Sequence, residues 1–276
     1  MNIKEYLSYW DNVVSDWFCG RIDKEQRLFI DDISLKLNIL HMPEPYWGNP
    51  EICSIVIANY NPGGGADRNR HTFHDCANCP ESFINQVKNY GYSNVVKPFP
   101  IIDEPTETFD KEHPCWWKEY GGRKWWLNKM KWINKVLGDK KTDKKPFAIE
   151  LCGWHSEAWP SNACIKAYKD NESFIKDYFI EPFTEAIQQS DLKVGICVGK
   201  QFYDLLMQMS AQDKMSLGTP FPPYKFIQEN KQYDIRLFNI NNAQIIVIWG
   251  KGRNRYPSID DKDLFAIQEF IQQLKQ

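Results

Sequence analysis

The chain has 276 residues, with 34 Lys+Arg against 36 Asp+Glu for a net charge of −2, and is 42% apolar and 25% charged. That balance supports a substantial buried core and excludes a mainly disordered chain, while no apolar run approaches the roughly 18 residues that a membrane-spanning helix needs. The opening Met-Asn-Ile-Lys-Glu-Tyr-Leu has no continuous apolar stretch followed by a small-residue cleavage site, so a cytoplasmic location is expected. The length suits one large domain, divided here into a helical extension over 1–42 and an α/β core over 43–276. Eight scattered cysteines, several inside apolar runs, read as reduced thiols.

In chain order, residues 3–40 contain two helix-like stretches, the second running through Leu28, Phe29, Ile33, Leu35 and Leu37. Residues 41–50 carry three prolines and predict an extended loop. A short β-branched run at 53–58 predicts a strand covered on both faces, and it leads into Asn59-Tyr60-Asn61-Pro62-Gly63-Gly64-Gly65. Runs at 147–151, 194–198 and 245–249 repeat the design, each followed by a glycine-bearing turn. Helical patterns fall between and after them, at 125–137, 172–188, 202–209 and 261–274. Segment 236–240 joins 244–249 through Asn241-Asn242, which predicts a hairpin and an antiparallel edge strand. Strands alternating with helices predict an α/β fold, a three-layer α/β/α sandwich on a central, mainly parallel four-stranded sheet. In such a sheet ligands bind beyond the carboxyl ends of the strands, where all four turns gather.

A strand followed by Asn61-Pro62-Gly63, paired with a late strand followed by Tyr256-Pro257-Ser258, resembles the uracil-DNA glycosylase superfamily, closest to its mismatch-specific uracil/thymine branch. The resemblance covers roughly 43–270. It implies a monofunctional DNA N-glycosylase that everts a nucleotide and hydrolyses the bond between base and sugar, without a cofactor. It places the water-orienting role on Asn61, with Asn59 as a second amide on the same turn. No lysine follows this motif in a way that suggests Schiff-base attack, so strand cleavage is not expected. Gly63 stands where uracil-specific relatives keep a tyrosine against the 5-position of the base, and Gly63, Gly64 and Gly65 supply no side chain, which implies a pocket open at C5. Phe73 lies near the place of a ring that stacks on the everted base. Tyr256 replaces the His or Asn that relatives carry before Pro-Ser.

Aligning 147–149 with the base-reading strand puts Glu150 where uracil enzymes have Asn. A carboxylate accepts from the amino group of cytosine and opposes the O4 of uracil; protonated, it donates to ring N3 or O2 and improves the leaving group. An open C5 edge with this reader points to a cytosine bearing a hydroxymethyl or glucosyl group, as in modified phage DNA, and so to antiviral defence. Repair of uracil or thymine mismatches, a nucleoside N-glycosidase and a non-catalytic binding shell are the alternatives. Trp154 and His155 follow the reading strand and are expected at the mouth. Arg253, Arg255 and Ser258 suit phosphate, as do Lys200 and the amides of its turn.

Over 118–145, ten Lys/Arg face three Asp/Glu and interleave with Trp125, Trp126 and Trp132, one basic face for DNA. The expected partner is therefore DNA, single- or double-stranded, bound by a monomer with no membrane contact. His71, His74, Cys76 and Cys79 form a weak zinc candidate whose spacing matches no common finger.

Overall fold

A computed structural model of the chain describes residues 1–27, 37–39, 41–60, 81–97, 123–138, 145–156, 166, 169–213, 233–250 and 256–273. Its centre is made by the apolar runs. Strands β3 (Ile55–Asn59) and β4 (Pro146–Glu150) are buried at every position, as are the first four residues of β6 (Val194–Val198). Burial at consecutive positions means that both faces of these strands are covered, because successive side chains point to opposite sides. Strand β8 (Ala243–Gly250) is nearly as buried.

The sheet has six strands rather than the expected four. Strands β2 (Tyr46–Trp47) and β7 (Tyr233–Ile240) flank the others in the order β2-β4-β3-β6-β8-β7. The four inner strands pair in parallel, and both outer strands are antiparallel. The hairpin forms as expected but is longer, with Tyr233 opposite Gly250. Its two-residue turn puts Asn241 and Asn242 at φ 51° and 63°, the left-handed pair that a hairpin of this length requires. At the other edge, Tyr46 and Trp47 leave the proline-rich loop to pair with Ile149 and Ala148, so that segment is not loop throughout. Short strands β1 (Leu37–Asn38) and β5 (His155–Ser156) form a separate antiparallel pair, so Leu37, expected in a helix, is extended. The rest of that second helix-like stretch lies outside the described residues.

Helix α1 (Ile3–Phe18) starts in a capping box in which Asn2 and Glu5 satisfy each other's backbone N–H groups. It buries Ile3, Tyr6, Trp10, Val13, Val14 and Trp17. Helices α2 (Glu81–Tyr90) and α3 (Tyr92–Val96) follow β3; Asp11 of α1 accepts from both the amide and the hydroxyl of Ser93. Helix α4 (Arg123–Leu137) precedes β4. Helix α5 (Glu172–Ile175) runs through a π-type turn, Lys176–Ile180, into α6 (Glu181–Gln189), which packs on β3, β6 and β8 and touches α1. Gly195 lets α6 approach: a Cβ there would lie 2.4 Å from Ile187 Cδ1. Helix α7 (Lys200–Asp213) packs on β8, and α8 (Asp261–Gln273) on α4. Through α1, the segment expected as an extension is joined to the core. Among the described residues, no helix is long and apolar enough to cross a membrane.

Candidate functional site

Parallel pairing of β3 with β4 puts Asn59 directly opposite Glu150 at the carboxyl ends of the two strands. Both are buried, at 6% and 3% exposure. Asn59 Nδ2 donates to Glu150 Oε1 at 2.7 Å, and Lys129 Nζ donates to Asn59 Oδ1. The order is forced by chemistry. A protonated Lys129 turns only N–H toward the amide, so the carboxamide then presents its oxygen to Lys129 and its NH2 to Glu150. The second carboxyl oxygen, Glu150 Oε2, is buried with no hydrogen-bond partner among the described residues.

Lys129 reaches this row from α4, where it lies on the buried stripe with Trp126, Met130, Ile133 and Val136 and is 1% exposed. Its Nζ sits 4.9 Å from the Trp125 ring centroid and 5.4 Å from that of Trp126. Desolvation lowers the amine to about 7, against the opposing pull of Glu150 and Cys197. Desolvation likewise raises Glu150 to about 8, although Asn59 and Lys129 favour its charged form. Burial thus favours the protonated form of this carboxyl. With Oε1 accepting from Asn59, that proton belongs on Oε2.

A second buried polar group stands behind Glu150. His155 Nε2 lies 3.1 Å from Glu44 Oε1, and the His41 ring meets His155 edge-on at 5.3 Å between centroids. Glu44 raises the Glu150 carboxyl further and His155 opposes it. The backbone here is pinned: Glu150 N–H donates to Pro45 O, Leu151 N–H to Asn59 O and Cys152 N–H to Tyr60 O. Tyr60 is also held through its ring, which stacks on Phe202 at 4.5 Å and donates its hydroxyl to Gln201. Tyr60, the last described residue of this segment, is thus held at both its backbone and its ring.

The expected site residues are placed unevenly. Asn59 and Glu150 come together. Asn61, Gly63, Gly64, Phe73, Arg253, Arg255 and the zinc candidates His71, His74, Cys76 and Cys79 lie outside the described residues. Trp154, expected at the mouth, is fully buried and donates to Gln26 Oε1 at 2.9 Å. His155, also expected there, is 1% exposed beside Glu44. Both belong to the interior under the N-terminal segment because β5 folds back to pair with β1. Tyr256 is half-buried against Trp132, 5.5 Å between ring centroids, and the Trp132 indole N–H holds the neighbouring Pro257 carbonyl. Ser258 is exposed. Lys200 is exposed and pairs with Asp204 one turn along its own helix. Its turn does not offer the Gly199 amide to phosphate, since that N–H donates to Ile248 O. Among the described residues no group of three or more His, Cys, Asp or Glu is arranged to hold a metal ion.

Lys129 and Glu44 were not singled out in the sequence. Lys129 counts there as one more member of a basic stretch. Its position three residues after Trp126 and four before Ile133, on the apolar stripe, is the signal that separates it from its neighbours. Comparison of the chain with family models, curated proteins and solved structures gives no match.

Proposed function

We propose that the chain is a DNA N-glycosylase in which Glu150 reads the everted base and protonates it as it leaves. The observation that carries this reading is the half-satisfied carboxyl of Glu150. One oxygen accepts from Asn59, and the other has no partner among the described residues and is the one left to carry a proton. A buried polar group left without a partner at the carboxyl end of a parallel strand suits an acceptor on a ligand. Cytosine offers acceptors at N3 and O2, whereas uracil turns an N–H outward at N3.

Proton transfer from Oε2 to the base neutralises the charge that builds as the glycosidic bond breaks. General acids of this kind contribute roughly 10²–10⁴-fold. Desolvation favours the protonated acid, and Lys129 keeps the Asn59 amide in the orientation that leaves Oε2 free. The resemblance to the uracil-DNA glycosylase superfamily adds water orientation by Asn61 and an open C5 edge at Gly63 and Gly64. Together these favour a 5-substituted cytosine, hydroxymethylated or glucosylated, and a role against phage DNA.

Oligonucleotides carrying uracil, a thymine mismatch, 5-hydroxymethylcytosine or its glucosylated form test the reading through release of the free base. The 5-substituted cytosines are expected to react, with Glu150→Gln lowering the rate about 100-fold. Inactivity across the panel, or full activity in Glu150→Gln, would overturn it.

A further inference from the structure

Lys129 is a buried amine to which base release gives no covalent step. Its Nζ is buried at the carboxyl end of the sheet, and its hydrogen-bond acceptor is a neutral amide, Asn59 Oδ1. Among the described residues it makes no ion pair with a carboxylate. Asn59 stands between it and Glu150, so the Lys129 ammonium is not locked against a negative charge. The amine borders a partly exposed ring. Trp125, one turn upstream and 4.9 Å from Nζ at its ring centroid, is 39% exposed.

We propose that Lys129 is an amine nucleophile that forms an imine with the open-chain sugar aldehyde of an abasic nucleotide in DNA, giving this site a strand-cleaving lyase activity. The proposal rests on the reading of this edge as the seat of an everted nucleotide, and it replaces the expectation of a monofunctional enzyme. The fold supplies the lysine that the linear motif lacks, from 70 positions away.

The chemistry balances with water alone. The Nζ lone pair adds to C1′ of the aldehyde, and a proton passes from nitrogen to oxygen to give a carbinolamine. Uptake of a proton from solvent and loss of water from that adduct leave the protonated imine. Glu150, left as a carboxylate once it has given its proton to the departing base, takes the proton from C2′. The C2′–H electron pair becomes the C2′=C3′ double bond, and the 3′-phosphate leaves with the C3′–O pair. Hydrolysis of the imine returns the amine. Both tasks suit their environments: a buried lysine is a nucleophile because burial favours its neutral form, and a buried carboxylate, once formed, is a strong proton acceptor.

The test uses the whole protein and a duplex with one natural abasic site, reduced with borohydride to trap the imine. A covalent protein–DNA adduct is expected, with peptide mapping placing the link on Lys129. A tetrahydrofuran abasic analogue, which has no aldehyde, should give none. Lys129→Gln, which keeps a donor for Asn59, should lose at least about ten-fold in adduct. Titratable groups acting on the amine are Glu150 on β4 and Cys197 on β6, and the trapping rate should rise through pH about 7 and then level. A surface lysine would keep gaining toward pH ~10. Mapping on the unaltered protein decides the matter even if Lys129→Gln does not fold. No adduct, or one mapped to the Met1 amine or to Lys124 or Lys131, overturns the proposal. Base release without a Lys129 adduct sinks this proposal and leaves the glycosylase reading standing; a Lys129 adduct without base release from any oligonucleotide does the reverse.

Discussion

Two of the buried polar centres in this fold, one at β3 and β4 and the other at β7, differ in how completely they are satisfied. Where β7 meets α8, Tyr233 donates its hydroxyl to Asp263 and accepts from the Asp260 amide at 3.0 Å, which closes the circuit. At the carboxyl ends of β3 and β4, the row from Lys129 through Asn59 to Glu150 stops at an oxygen without a partner among the described residues. The first arrangement ties a helix to an edge strand and has no group to spare. The second keeps a donor in reserve, at a cost in stability that a purely structural centre would not incur.

Stability against pH offers the largest separation between the two centres. Glu150 is held at about 8 in the fold against 4.5 for a free side chain, so the native state binds the extra proton between those values. Stability from this group is therefore fully present below pH 4.5 and is lost as pH rises toward 8. Lys129 works in the opposite sense between about 7 and 10.5, where the unfolded chain holds the extra proton and stability rises with pH. Urea unfolding of Glu150→Gln should match the parent near pH 4.5 and exceed it near pH 8. The gain at the higher pH is on the order of 4 kcal/mol. Parallel curves for the two proteins from pH 4.5 to 7 would remove the proton from Glu150 in the fold.

Next in size is Asn59→Ala, which strips the bridge from both buried ends at once. A loss of about 2–3 kcal/mol at pH 7 is expected from two polar groups left without partners, read from the denaturation midpoint. A loss under about 0.5 kcal/mol would mean that the amide is a bystander between Lys129 and Glu150. Smallest is Tyr233→Phe at the closed centre, expected to cost about 1–2 kcal/mol with base release unchanged. A change in base release would show that the two ends of the sheet are coupled.

The sheet was the legible part of the chain. Continuous β-branched runs mark strands buried on both faces, and Asn241-Asn242 marks a two-residue hairpin because few residues accept left-handed backbone in sequence. The outer strand β2 was hidden, because three prolines in ten residues argue against regular structure while an edge strand tolerates them. Glu150 was legible as a strand-end residue at the carboxyl edge of the sheet. Trp154 and His155 looked like mouth residues for the same reason, yet the chain turns back there and buries both.

Local order along the chain was decided by the sequence itself: which runs become strands, where they stop, and that an amide and a carboxylate end two of them. Only the tertiary structure decided that these two ends meet, that Lys129 leaves the basic face of its helix to join them, and that Glu44 and His155 stand behind. The physical reason is range. Periodicity and turn chemistry act over a few residues, whereas desolvation and the hydrogen bonds that answer it depend on neighbours 70 and 91 positions apart, brought together by strand pairing and helix packing.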